Sequence, residues 1–248
     1  MTLSVQRSTD AIETHARALA RQAPHALSAS IEKCPGWTVA TVLQHLIEVH
    51  WFWATIVDEH LSERPGDERR PADVAPDELA DRFLTGALHL ADVLRRADQA
   101  SPVWTWTPLV KNVSFVTRHQ VQEIAVHHWD VARACGSDLV IDSDLASDAV
   151  DEFLTLSVSS ESDPADPPRP SLDGRLGLRC TDIDGGWTVY DGTISGTVAF
   201  VPGVETAEST LIATSSDFLL WLYSRVEISG NPDAIELGTR LHALSFTD

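Results

Sequence analysis

The chain has 248 residues, 43% of them hydrophobic, and 18 Lys and Arg against 37 Asp and Glu give it a formal net charge of −19. That length can hold one or two domains with sizeable cores, and so acidic a surface repels phosphate backbones and anionic lipid, so neither nucleic acid nor a membrane is an expected partner. No run of ~18 apolar residues offers a membrane span, residues 1–7 lack a basic-then-apolar leader pattern, and three widely spaced cysteines (Cys34, Cys135, Cys180) fit a reducing cytoplasm better than a disulfide framework.

The first helix is expected to begin near Ser8, Thr9 or Asp10 and to end before Pro24, with Ile12, Ala16 and Leu19 on one face. A loop containing Cys34-Pro35-Gly36 leads to Trp37 and then Thr38, an N-cap for a second helix. Val39, Val42, Leu46, Val49, Trp53 and Ile56 form its apolar stripe, and it should run to about His60. Residues 62–76 are polar and carry Pro65, Gly66, Pro71 and Pro76, so they read as a loop. A third helix is expected over 77–98 on Leu79, Phe83, Ala87, Leu90 and Leu94. An irregular aromatic segment at 102–108 precedes a helix over 113–135, which Gly136 stops. Another helix starts at Ser143 or Asp144, with Leu145, Ala149, Phe153 and Leu156 to one side. Apolar stripes joined by loops predict an up-down helical bundle over residues 1–160.

Residues 159–171 are polar and proline-rich and cannot build a core, so they read as an interdomain linker. Beyond them the period changes. Residues 175–180 and 187–190 alternate, and 197–201 is β-rich. Asp184-Gly185-Gly186 is a hairpin-type turn. A helix is expected over 216–225, a break at Gly230-Asn231-Pro232, and a final helix over 233–243. Residues 172–248 therefore form a small α+β domain, and the whole chain belongs to the α+β class.

The chemistry concentrates in the helix over 113–135. At ~3.6 residues per turn, His119, Glu123 and His127 share a stripe, with Asp130 one turn further on. Val116, Ile124 and Val131 flank it, so the stripe points into a bundle, where a carboxylate beside imidazoles is costly unless something pairs with them. A metal ion is such a partner. His45 shares an apolar face with Val42 and Val49 and is the best third donor. His45, Glu123 and His127 make a two-histidine, one-carboxylate set, which suits catalytic zinc with water in the remaining position, or non-haem iron(II). The plainer alternatives are a core histidine bonded to a backbone carbonyl and an ordinary i,i+4 surface pair. Arg225, closing an apolar helix, is either a carboxylate-binding group or a cation set against the helix dipole. His119 and Asp130 could orient the ligands. Trp51, Trp53, Trp104 and Trp106 are expected mainly in the core, Cys34 is a plain buried thiol, and His50, His60 and His128 are structural or surface groups.

Cys34-Pro35-Gly36-Trp37-Thr38-Val39, then His45-Leu46, then residues 123–130 (Glu-Ile-Ala-Val-His-His-Trp-Asp), and finally residues 216–225, resemble in order and spacing the mycothiol-dependent maleylpyruvate isomerase family. The resemblance implies a DinB-like metal-binding helical bundle followed by an α+β domain related to sterol-carrier folds. It also implies metal ligands at His45, Glu123 and His127, zinc or another divalent metal, mycothiol as cofactor, and a functional Arg225. The activity implied is isomerisation or S-transfer: a small-molecule thiol adds as thiolate to an electrophilic substrate. A non-catalytic, metal-containing small-ligand binding protein and an iron-dependent oxidative enzyme share the same three ligands.

Overall fold

The computed structural model describes residues 3–158, 170–194 and 196–245. The linker expected at 159–171 lies, apart from Pro170 and Ser171, outside the described residues. The elements among them are α1 (Val5–Gln22), α2 (Val39–Asp58), α3 (Leu79–Arg96), α4 (Val113–Ala134), α5 (Ser143–Leu156), β1 (Arg175–Cys180), β2 (Gly186–Asp191), β3 (Val198–Pro202), β4 (Ser209–Ala213), α6 (Ser215–Leu222) and α7 (Pro232–Leu244). No helix among these residues is long and apolar enough to cross a membrane.

Side-chain caps fix where the helices begin. Thr38 accepts from Thr41 N–H while its own N–H donates to Thr41 Oγ1, a reciprocal box that starts α2. Asn112 Oδ1 accepts from Phe115 N–H and starts α4. The first helix begins earlier than expected because Ser4, rather than a residue at 8–10, accepts from Arg7 N–H. The sixth helix ends earlier than expected. Ser224 turns left-handed at φ 60°, and Arg225 N–H donates back to Leu220 O at 2.7 Å, closing the helix C-terminus. Arg225 therefore follows this helix instead of ending it.

The chain divides into two compact units, Met1–Ile141 and Asp142–Asp248. In the first, α1 and α2 each pack against α3 and α4, which makes a four-helix bundle with α1 diagonal to α2. Ile12, Leu19, Leu43, Leu46, Phe83, Leu90, Leu94 and Ile124 are fully buried at its centre, and each such side chain contributes roughly 1.5–3 kcal/mol of burial. In the second unit, the sheet order is β3-β2-β1-β4, with β1 antiparallel to β2 and parallel to β4. Leu178 stands opposite Trp187 on one side and Leu211 on the other, and α7 packs on β1 and β4. The fifth helix, expected to close the bundle, packs on α6 and β3 instead. Its apolar stripe announces a partner without saying which one. β4 was not expected at all: only Leu211 of its five residues is buried and Ile212 is 57% exposed, too little alternation to register.

Candidate metal centre

Two helices of the first unit bring His45, Glu123 and His127 together. α2 carries His45 and α4 carries the other two, one turn apart on one face. His45 Nε2 lies 2.9 Å from Glu123 Oε1, and His127 Nε2 lies 3.6 Å from the same oxygen. One donor atom from each residue falls within 4.8 Å of the others. A tetrahedral ion with bonds of about 2.05 Å has ligand–ligand edges of about 3.3 Å. The 2.9 and 3.6 Å separations straddle that value, so the donors fit a divalent ion with small adjustments. The site is partly sheltered, the side chains of His45, Glu123 and His127 being 33%, 21% and 11% exposed, which leaves a face open to a small molecule.

The electrostatics point the same way. Burial alone would raise the Glu123 carboxyl. The hydrogen bond from His45 and the charges of His127, His45 and His119 outweigh that and hold it well below the usual carboxylate range. A carboxylate kept ionised between two imidazoles is a place where a divalent cation can supply the positive charge and leave both imidazoles neutral as ligands.

The surroundings fix the ligands. His127 Nδ1–H donates to Asp130 Oδ2 at 3.2 Å, and Asp130 is 2% exposed. That bond selects the tautomer with the Nε2 lone pair facing Glu123. Cys34 Sγ sits 4.0 Å from the same carboxylate oxygen. The ring of Trp37 stacks on His127, with centroids 6.0 Å apart and an 11° tilt, and lies 5.1 Å from His45. A tight turn places it there: Trp37 N–H donates to Cys34 O, Ile31 N–H donates to Trp37 O, and Gly36 takes φ 85°. The sequence motif alone gives Trp37 no role. The signal for one lay in its position just before the Thr38 cap, which holds it over the start of the helix bearing His45.

The other candidate residues fall in three places. His119 sits among rings, stacked on Phe115 at 5.4 Å and edge-on to Trp53 and Trp106, and its Nδ1 accepts from Gln122 Nε2 at 3.0 Å. His128 is buried and its Nδ1 lies 2.8 Å from His15 Nδ1 on α1, a pairing across 113 positions that no local pattern announces. Arg225 is in the second unit, where its Nη1 donates to Tyr223 O at 2.9 Å.

Comparison with known proteins adds the context. A family model described as the mycothiol maleylpyruvate isomerase N-terminal domain matches residues 7–132. The chain is similar in fold to the crystal structure of the mycothiol-dependent maleylpyruvate isomerase and to that of a histidine-to-alanine mutant of it. Each gives a TM-score of 0.62 at 11% identity, covering 92% of this chain and 93% of that one. No curated protein matches the chain.

Proposed function

Because the chain belongs to the family defined by the mycothiol maleylpyruvate isomerase N-terminal domain, we propose that it is a mycothiol-using enzyme that adds a thiolate to a small electrophile at His45, Glu123 and His127. The observation that carries this reading is the convergence of His45 Nε2 and His127 Nε2 on one Glu123 oxygen. These three residues would hold a divalent metal, zinc in this reading, which would supply Lewis acidity that lowers the pKa of a thiol from ~8.5.

The chain's own residues do the rest. Glu123 brings negative charge, and two neutral imidazoles leave the site cationic overall once a metal is held. Asp130 keeps His127 in the tautomer that presents Nε2. Trp37 lies against both imidazoles and adds an apolar ring to that side of the site. The thiol loses its proton to solvent, and its sulfur forms a bond to one carbon of an activated cis double bond while the π pair moves onto the activating carbonyl as an enolate, leaving a single bond between the two carbons. The carbon–carbon bond then rotates, the carbon–sulfur bond breaks, and the trans product leaves with the thiol regenerated. If the neighbouring carbon instead takes up a proton while the carbon–sulfur bond stays intact, the thioether adduct leaves, the thiol is consumed, and the outcome is S-transfer. Arg225 is the group proposed to hold a substrate carboxylate through a two-pronged bond. The three free cysteines and a thiol cofactor belong together in a reducing cytoplasm.

The test is turnover of a cis-configured electrophile by the purified chain, with mycothiol supplied or omitted and with metal present or chelated. Loss of turnover on removing either supports the reading. Turnover indifferent to both excludes it, and product analysis separates the trans isomer from the thiol adduct.

A further inference from the structure

Beside His45 lies a cavity of about 220 Å³, walled by α2 and by residues 64–70. The 62–76 segment has no periodic signal, yet it is tied to the helix. Val74 N–H donates to Gln44 Oε1 at 3.0 Å, Gln44 Nε2 donates to Glu48 Oε1 at 3.2 Å, and Arg70 pairs with the other Glu48 oxygen. Arg64 pairs with Asp67 at 3.6 Å, both of them exposed. Trp51 and Phe52 add an aromatic wall, with Phe52 held edge-on by Trp53 at 5.1 Å and Trp104 at 5.7 Å.

The charges in this wall cancel, two guanidiniums against two carboxylates. In a chain at −19, that balance gives a free anion little reason to bind. It suits a ligand whose groups both donate and accept. Hydroxyls do both, guanidinium offers five N–H donors, and each carboxylate accepts at about four positions. An aromatic wall adds apolar area for the C–H face of a saturated ring. The volume is below the ~300–1,000 Å³ of drug-sized sites and has room for one ring with its substituents.

Resting on the reading above, we infer that this cavity is a polyol subsite, in which Glu48, Arg70, Arg64 and Trp51 hold a neutral polyhydroxy ring of the thiol cofactor. Mycothiol, a cysteine-bearing amino-sugar joined to inositol, carries such rings. A ring held here sets its sulfur-bearing arm beside His45. The discrimination between mycothiol and a simple thiol then resides in the first unit.

S-Methylated mycothiol keeps the rings and blocks the sulfur. Its binding to the chelator-treated full chain, measured by titration calorimetry, reads the cavity without metal or turnover. The wild type should bind it; Arg70→Ala should weaken binding about tenfold or more, the scale of a lost hydrogen bond to a charged group, and Trp51→Ala should weaken it about fivefold through the lost aromatic wall. N-acetylcysteine, which lacks the rings, should be held no differently by the variants. Arg70 helps tie the segment to α2, so that variant is checked by its melting profile. Arg64→Ala is the companion that folds regardless, since an exposed, loose ion pair adds little stability. No binding by the wild type, equal affinity across wild type and the three variants, or Arg70-dependent binding of succinate with S-methylated mycothiol unaffected, would each overturn the inference. Metal-dependent turnover with mycothiol that ignores these substitutions leaves the proposed function standing while the subsite falls. Binding of the blocked compound without such turnover does the reverse.

Discussion

Asp130→Asn separates the orientation of a ligand from the ligand itself. Asp130 Oδ2 accepts from His127 Nδ1–H at 3.2 Å at a position 2% exposed, so the bond is charge-assisted and shielded from competing water. Asparagine keeps the shape but has one neutral acceptor, and it holds the ring less firmly with Nε2 toward Glu123. Losing a partner of this kind lowers metal affinity by about 10–100-fold, or roughly 1.4–2.7 kcal/mol. Without metal, the variant loses a hydrogen bond but also a buried charge, and the two offset to within about 1 kcal/mol. The assay is zinc competition against a chromophoric chelator, alongside urea unfolding of the metal-free chain. An unchanged zinc affinity in a folded variant would refute the claim that Asp130 orients His127.

Three more expectations follow from the same structure. His50 is 1% exposed, and burial, reinforced by His45 and His127 against an opposing Glu123, lowers its pKa to about 4. Its folded pKa lies below the unfolded ~6.5, so its stabilising contribution is complete above pH 6.5 and is lost as pH falls toward 4, a change of about 3 kcal/mol; urea unfolding of the metal-free wild type and His50→Leu at pH 7 and 4.5 should show that difference in slope, and parallel profiles would count against it. Gly36→Ala puts a side chain at φ 85°, where no heavy atom comes within 4 Å of the new Cβ, so the cost is backbone strain alone, about 1–2 kcal/mol by denaturant midpoint. Arg225→Ala should reduce kcat/KM for a carboxylate-bearing electrophile by roughly 1.5–3 kcal/mol and spare its neutral ester, with Arg225→Lys recovering part of the loss and both variants keeping wild-type metal content; equal losses for acid and ester would assign Arg225 to the fold.

Local chemistry was the legible part of this chain. Thr38 announced the start of α2 because a capping side chain and its backbone partner lie within three residues. The four-residue step from Glu123 to His127 announced one helix face, and His45 was legible because it interrupts an apolar one. What escaped the sequence depends on partners distant in the chain. The stripe on α5 did not say that α6 and β3 receive it. The His15–His128 contact spans 113 positions. Residues 64–70 form a wall only because Gln44, Glu48 and Val74 tie the segment to α2, and a proline-rich loop carries no period that could show this. The apolar neighbours of Arg225 point to a helix that runs up to it, while the left-handed Ser224 breaks the helix first.

Metal content of the purified chain tests the central claim most directly. Elemental analysis of the wild type should find about one divalent ion per chain, and His45→Ala and His127→Ala should each lose it, because one ligand of three contributes far more than an orienting neighbour. A wild type that takes up no divalent ion, or a His45→Ala chain that keeps the full amount, would contradict the account.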